Sequence, residues 1–201
     1  MVLGVLLVLG AVGLAMNNRQ EDLTAGASSA EVMPDLIQQI QENVDAAQSE
    51  NGPMPELQKP ESLLTEEDKM MTEVEIDGIL YIGYLSIRKL NLELPVISNW
   101  SESLLNVAPC RYAGTVLGED LVIMAHNYTS HFRDLSLLEV GDSVVFTDMD
   151  GKVIHYEVVG KDVLDPTAVE EMTAGDFDLT LFTCTFGGEF RMTVYCNEID
   201  A

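Results

Sequence analysis

Cys184, Arg191 and His126 are the residues of this chain with most to offer chemically. Cys184 closes the run Thr180-Leu181-Phe182-Thr183-Cys184, Arg191 lies seven residues on, and His126 ends the apolar run Leu121-Val122-Ile123-Met124-Ala125. A thiol has a pKa of roughly 8.5 and attacks only as the thiolate. It needs a neighbour that takes its proton, and acyl chemistry also needs a group that stabilises an oxyanion. Imidazole suits the first task and a guanidinium fork the second. With reference pKa values of roughly 6.5 and 8.5, a His–Cys couple has both its neutral and ion-pair forms accessible near neutrality.

These side chains need elements that carry them to one place. Phe186-Gly187-Gly188-Glu189 turns the chain back after Cys184, so Cys184 and Arg191 face one another across a hairpin. Arg191 alternates with the apolar Phe190, Met192 and Val194 and should point out of the core. His126 comes from a distant strand and competes with His131, in the loop after it, and His155, on a strand facing solvent. Extended segments are expected at Ile79–Ile87, Leu92–Ile97, Arg111–Val116, Leu121–Ala125, Ser143–Thr147, Lys152–Leu164, Asp178–Cys184 and Phe190–Ile199. Short helices fit Glu102–Val107, Phe132–Leu138 and Pro166–Met172, the last capped by Asp165. Many short strands with few helices imply a sandwich or a closed barrel.

From about Ile79 to Ile199 the chain resembles the sortases, the cysteine transpeptidases that anchor proteins on the surface of Gram-positive bacteria. The resemblance rests on Thr180 to Cys184, on Arg191 in the next strand, and on His126 after its apolar strand. It extends to Phe132, Leu135, Leu138, Gly141 and Asp142 in a Phe-x-x-Leu-x-x-Leu-x-x-Gly-Asp stretch and to Leu94-Pro95-Val96. It implies a mainly β fold, an eight-stranded sortase-type barrel with short helices over residues 78–201. It implies Cys184 as nucleophile, His126 as general acid/base that protonates the leaving amine, and Arg191 on the substrate carbonyl or oxyanion. Thr183 either orients substrate or cysteine, as its counterpart is thought to do, or is simply a good strand residue. The compact Leu164–Asp178 segment argues against the branch with a long helical insertion. No Phe, Tyr or Trp occurs between Asn17 and Leu80, which argues against an aromatic N-terminal lid. The class stays unassigned.

The implied reaction cleaves a C-terminal motif resembling Leu-Pro-x-Thr-Gly in a secreted protein through a thioester acyl-enzyme. The acyl group passes to an amine of a peptidoglycan precursor or a pilin lysine. It needs no cofactor, and no cluster has convincing metal-ligand spacing; Glu119 and Asp120 could bind the calcium some relatives use, but loop acids are common and no metal site is assigned. Two rivals are weighed. Papain-like peptidases place Cys before His, opposite to this order, and L,D-transpeptidases carry a Gly-rich cysteine motif that is absent here. The other is a catalytically silent barrel that binds peptides or assists envelope assembly, whose mark would be a missing member of the three.

Composition fits export. Net charge is −24 in 201 residues, −12 in residues 17–77 and −12 from residue 78 on. Such a surface repels nucleic acid, so no phosphate-backbone partner is expected. Residues 1–16 are apolar throughout and are read as a single-pass signal-anchor, with a cleaved signal peptide or a core helix as alternatives. The catalytic domain would then lie outside the cell on an acidic, partly helical stalk over residues 17–77. Pro34-Asp35-Leu36 should start a helix with Leu36, Ile37, Ile40 and Val44 on one face, either solvated as a tether or docked on the domain. Asn51-Gly52-Pro53 should break it, with a second helix from Thr65 to Val74. Cys110 and Cys196 have no proposed chemistry. Cys196 suits the core, and a Cys110–Cys196 disulfide is an open option.

Overall fold

The computed structural model describes residues 2–50 and 70–200, the side chains of residues 2–8 and 50 excepted. Nine strands make up the sheet: β1 (Val74–Ile76), β2 (Ile79–Ile87), β3 (Leu92–Ile97), β4 (Cys110–Ala113), β5 (Leu121–Met124), β6 (Ser143–Asp148), β7 (Val153–Leu164), β8 (Leu179–Cys184) and β9 (Arg191–Glu198). Their order is β1-β2-β3-β4-β5-β8-β9-β7-β6, and β6 returns to pair with β2. Strands β2 to β9 thus close an eight-stranded barrel, the expected fold. Gly83 helps the closure. It sits at φ +143° where the β2 register shifts, and a Cβ there would fall 2.9 Å from the Cα of Asp148 on β6.

Alternating side chains fill the barrel. Ile82, Leu85, Ile123, Phe132, Phe146, Tyr156, Leu181 and Val194 are buried in one cluster. Each large apolar side chain taken from water contributes about 1.5–3 kcal/mol. The expected short helices are tighter than predicted: α2 covers Glu102–Leu105, the 132–138 stretch is a 3₁₀ turn over Arg133–Leu137, and α3 covers Val169–Met172. Ser101 caps α2, its hydroxyl accepting from the Leu104 amide at 3.2 Å.

The N-terminal segment departs most from expectation. One helix, α1, runs from Val2 to Glu50 straight through Pro34. Pro34 is exposed and removes one intrahelical bond, while Met33, Leu36 and Ile40 beside it are buried and hold the helix on the barrel. They pack with Tyr81, Ile97, Leu105, Ala108, Cys110 and Met149. Val44 also packs there and Asn43 donates to the Met149 carbonyl at 2.8 Å, so this stripe is docked rather than solvated. Ile37 is the exception, 48% exposed.

Further corrections concern the ends of elements and the cysteines. Of the expected Thr65–Val74 helix, residues 65–69 lie outside the described residues, and Val74 instead opens β1, a hairpin partner of β2. The expected break at 51–53 also lies outside them. Among the described residues no helix is long and apolar enough to cross a membrane, and the anchor expected over residues 1–16 lies only partly among them. Its first half falls on side chains outside the description. Cys110 and Cys196 are free and buried rather than bonded, on opposite sides of the sheet in separate clusters. Burial pushes both thiols up to about 12, which makes them inert packing residues.

Candidate active site

Register does the positioning. Strands β5 and β8 run parallel, with Met124 abreast of Phe182. The ladder continues one step, the Ala125 amide donating to the Phe182 carbonyl at 3.2 Å. His126, the next residue, therefore leaves the barrel beside Cys184. On the other side β9 runs antiparallel to β8, and Arg191 is the direct partner of Cys184. The turn between them closes with the Gly188 amide on Thr185 and the Thr185 amide on Phe190, at 2.8 and 2.9 Å. Gly187 and Gly188 take φ of +92° and +78° there, a conformation that suits glycine.

One cavity of about 280 Å³ is lined by His126, Cys184 and Arg191 together with Trp100, Glu102 and Phe182. A second, of about 260 Å³, opens on the other side of Cys184 against Asn127, Arg133, Phe186 and Met192. The three residues picked out by type and spacing thus meet at one rim of the barrel, with space on both sides of the sulfur. Arg191 Nη1 donates to the carbonyls of Gly188 and Phe190 at 3.1 and 3.2 Å. A guanidinium has five N–H donors, so others stay free for a ligand. Thr183 is buried, and its hydroxyl donates to the Ala125 carbonyl at 2.8 Å, tying β8 to β5 one residue before His126.

Burial holds the His126 ring below the ordinary histidine pKa, and the carboxylates of Glu102 and Glu21 partly offset this. This favours the neutral form of the ring. His131 does not reach the cavity. It is fully buried behind the loop, where burial and the nearby His126 pull its ring down to about 4. His155 is half-buried on β7. Phe190 is 45% exposed, so the apolar alternation expected on β9 begins only after Arg191.

Several residues at the site carried no signal in sequence. Asn127 donates to the Cys184 carbonyl at 2.9 Å and fastens the two strand ends. The Tyr128 ring lies against His126, centroids 4.9 Å apart. Trp100, Tyr112 and Phe182 form an aromatic row along the first cavity, at centroid spacings of 5.9 and 5.3 Å. Only the position of Asn127 directly after the histidine could have marked it beforehand.

The Sortase domain family model matches residues 85–199, more than half of the chain. The chain belongs to the sortase family. Sortases are cysteine transpeptidases of the cell surface, and this chain has their closed barrel. Among solved structures, sortase C1 of Streptococcus suis is 30% identical over 60% of this chain and 74% of its own, with a TM-score of 0.54. Sortase C of Clostridium perfringens is 25% identical over 85% and 91%, at 0.54. In fold alone, the chain is also similar to sortase A of Corynebacterium diphtheriae, 18% identical over 93% and 96% at 0.56. No curated protein matches in sequence. Similarity to both sortase C and sortase A structures does not separate the classes.

Proposed function

We propose that this sortase is a transpeptidase in which Cys184 is the nucleophile, His126 the general acid/base and Arg191 the oxyanion ligand. The observation that carries this reading is the single cavity lined by all three side chains at the rim of a sortase barrel. The thiol proton passes to the neutral imidazole as sulfur attacks the carbonyl carbon of a sorting motif resembling Leu-Pro-x-Thr-Gly. The carbonyl oxygen gains the charge and takes hydrogen bonds from Arg191. The C–N bond then breaks, the imidazolium protonates the departing amine, and a thioester remains on Cys184. An acceptor amine, from a peptidoglycan precursor or a pilin lysine, attacks the thioester, gives its proton to His126 and releases the sulfur. Thr183 and Asn127 tie the two strand ends together beside these groups.

The substrates in this reading are secreted proteins, and the domain works outside the cell, tethered to the membrane through the apolar residues 1–16. The test is incubation with a library of sorting-motif peptides and a small amine. Mass spectrometry should find an acyl adduct on Cys184 and an aminolysed product, and Cys184→Ala should give neither. Absence of both from the unaltered protein with every peptide would sink the reading.

A further inference from the structure

The face that α1 turns toward the loop after His126 is built from residues one turn apart. Asp22, Gly26 and Ser29 meet Thr129, Ser130 and His131 in turn. Asp22 Oδ2 accepts from the Thr129 amide at 3.1 Å, and its Oδ1 from the Ser130 amide at 3.0 Å and the Ser130 hydroxyl at 2.8 Å. The guanidinium of Arg133 lies 3.7 Å from the same carboxylate. At Gly26 the helix comes so close that a Cβ would fall 2.9 Å from Ser130 Cβ. Ser29, 3% exposed, donates its hydroxyl to the Val107 carbonyl at 2.8 Å, which leaves its oxygen to accept from His131 Nε2 at 3.3 Å.

The loop held in this way is joined to His126 itself. The Phe132 amide donates to the His126 carbonyl at 3.3 Å, closing the loop at its base. Tyr128, whose carbonyl accepts from the His131 and Arg133 amides, lays its ring on the His126 imidazole and donates its hydroxyl to Asn106 at 3.1 Å. An unbroken series of contacts thus runs from the Asp22 carboxylate through Thr129 and Ser130 to Tyr128 and the imidazole. A surface helix that merely covered apolar area would need none of these polar contacts, and the apolar docking around Leu36 already supplies that cover.

We propose that α1 is a working part of the catalytic apparatus, in which Asp22, with Gly26 and Ser29, is a positioning residue that sets the 127–132 loop and, through Tyr128, the imidazole of His126. The proposal rests on the transpeptidase reading for the role of His126, but not for the placement of its ring. Among the described residues, the charged and titratable groups that face the ring are Glu21 from α1, Glu102 from α2, Tyr128 and His131 from the loop, and Cys184 and Arg191 from β8 and β9. Because Glu21 adjoins Asp22, loosening this part of α1 also moves a carboxylate that favours the imidazolium.

The test uses the full chain in detergent with Asp22→Asn, Gly26→Val and, as a control on the exposed face of α1, Glu31→Ala. Two readouts are taken: kcat and KM for a sorting-motif peptide, and the titration of His126 followed by NMR on histidine-labelled protein. Asp22→Asn and Gly26→Val should lower kcat on the order of tenfold to a hundredfold with KM little changed, as misplacing a reacting group does. They should also move the His126 midpoint downward, while Glu31→Ala moves neither readout. Should Asp22→Asn fail to fold, Gly26→Val decides by the same readouts. Folded variants with wild-type kcat and an unmoved His126 titration overturn the proposal. A wild-type chain that cleaves no peptide overturns the transpeptidase reading instead, and the titration then decides this one alone.

Discussion

In the proposed reaction, Arg191 and Glu102 would act at opposite ends of the proton and charge movement at Cys184. A lysine at 191 would keep the charge but lose the planar fork, in which Nη1 bonds the hairpin carbonyls while other N–H groups stay free for an oxyanion. Arg191→Lys should therefore lower kcat on the order of 100-fold or more, with the urea midpoint of unfolding essentially unchanged, because the side chain is outside the core. Glu102 raises the His126 pKa against the effect of burial. Glu102→Gln removes that support, so the imidazolium forms only at lower pH. The acid limb of kcat/KM should move down in pH, and an upward or absent movement would rule out electrostatic coupling between the two.

At the scale of elements, α1 is held by two kinds of contact with different consequences. Around Leu36 the contact is apolar, and Leu36 is completely buried against Tyr81, Ile97 and Met149. Leu36→Ala leaves a cavity there and should cost about 2–5 kcal/mol in urea unfolding, or expose α1 to protease while the barrel survives. Around Asp22 the contact is polar and local to the His126 loop, so changes there should act on turnover as well as on stability. The β8–β9 hairpin is the other element that matters. Its glycine turn fixes where Arg191 starts β9, and β7 pairs with the far edge of β9 to hold it in place.

For the whole molecule, acid stability follows from two groups at the α1 contact, the half-buried Asp22 and the buried His131. Burial alone would raise the Asp22 carboxyl, but hydrogen bonds from Ser130 and Thr129 outweigh it and hold it at about 2, against an ordinary 3.8. The unfolded chain then binds this proton first, so its stabilisation is complete above pH 4 and is lost as pH falls toward 2. His131 is buried neutral near 4 against 6.5, so the unfolded chain also takes up its proton first, and stability falls between pH 6.5 and 4. His126, also lowered, acts in the same direction. The melting temperature should drop through this higher window, and His131→Gln should flatten most of that drop. An unchanged slope in His131→Gln would show that another group carries it.

The barrel strands, though not β1, and the three candidate site residues were legible in the sequence because they rest on local chemistry. Apolar alternation, glycine turns and a cysteine closing its strand are properties of a few neighbouring residues, and β2 and β3 run over the residues expected for them. The hairpin pairing of Cys184 with Arg191 is equally local. What the tertiary structure alone decided depends on distant pairings: the parallel register that sets His126 beside Cys184, the closure of β6 on β2, and the docking of α1. Asp22 and Ser130 are 108 residues apart, and no local period couples them. A helix with a proline and a weak apolar stripe is ambiguous by itself. It becomes one continuous docked element only because the barrel offers a matching apolar face and loop amides that need acceptors.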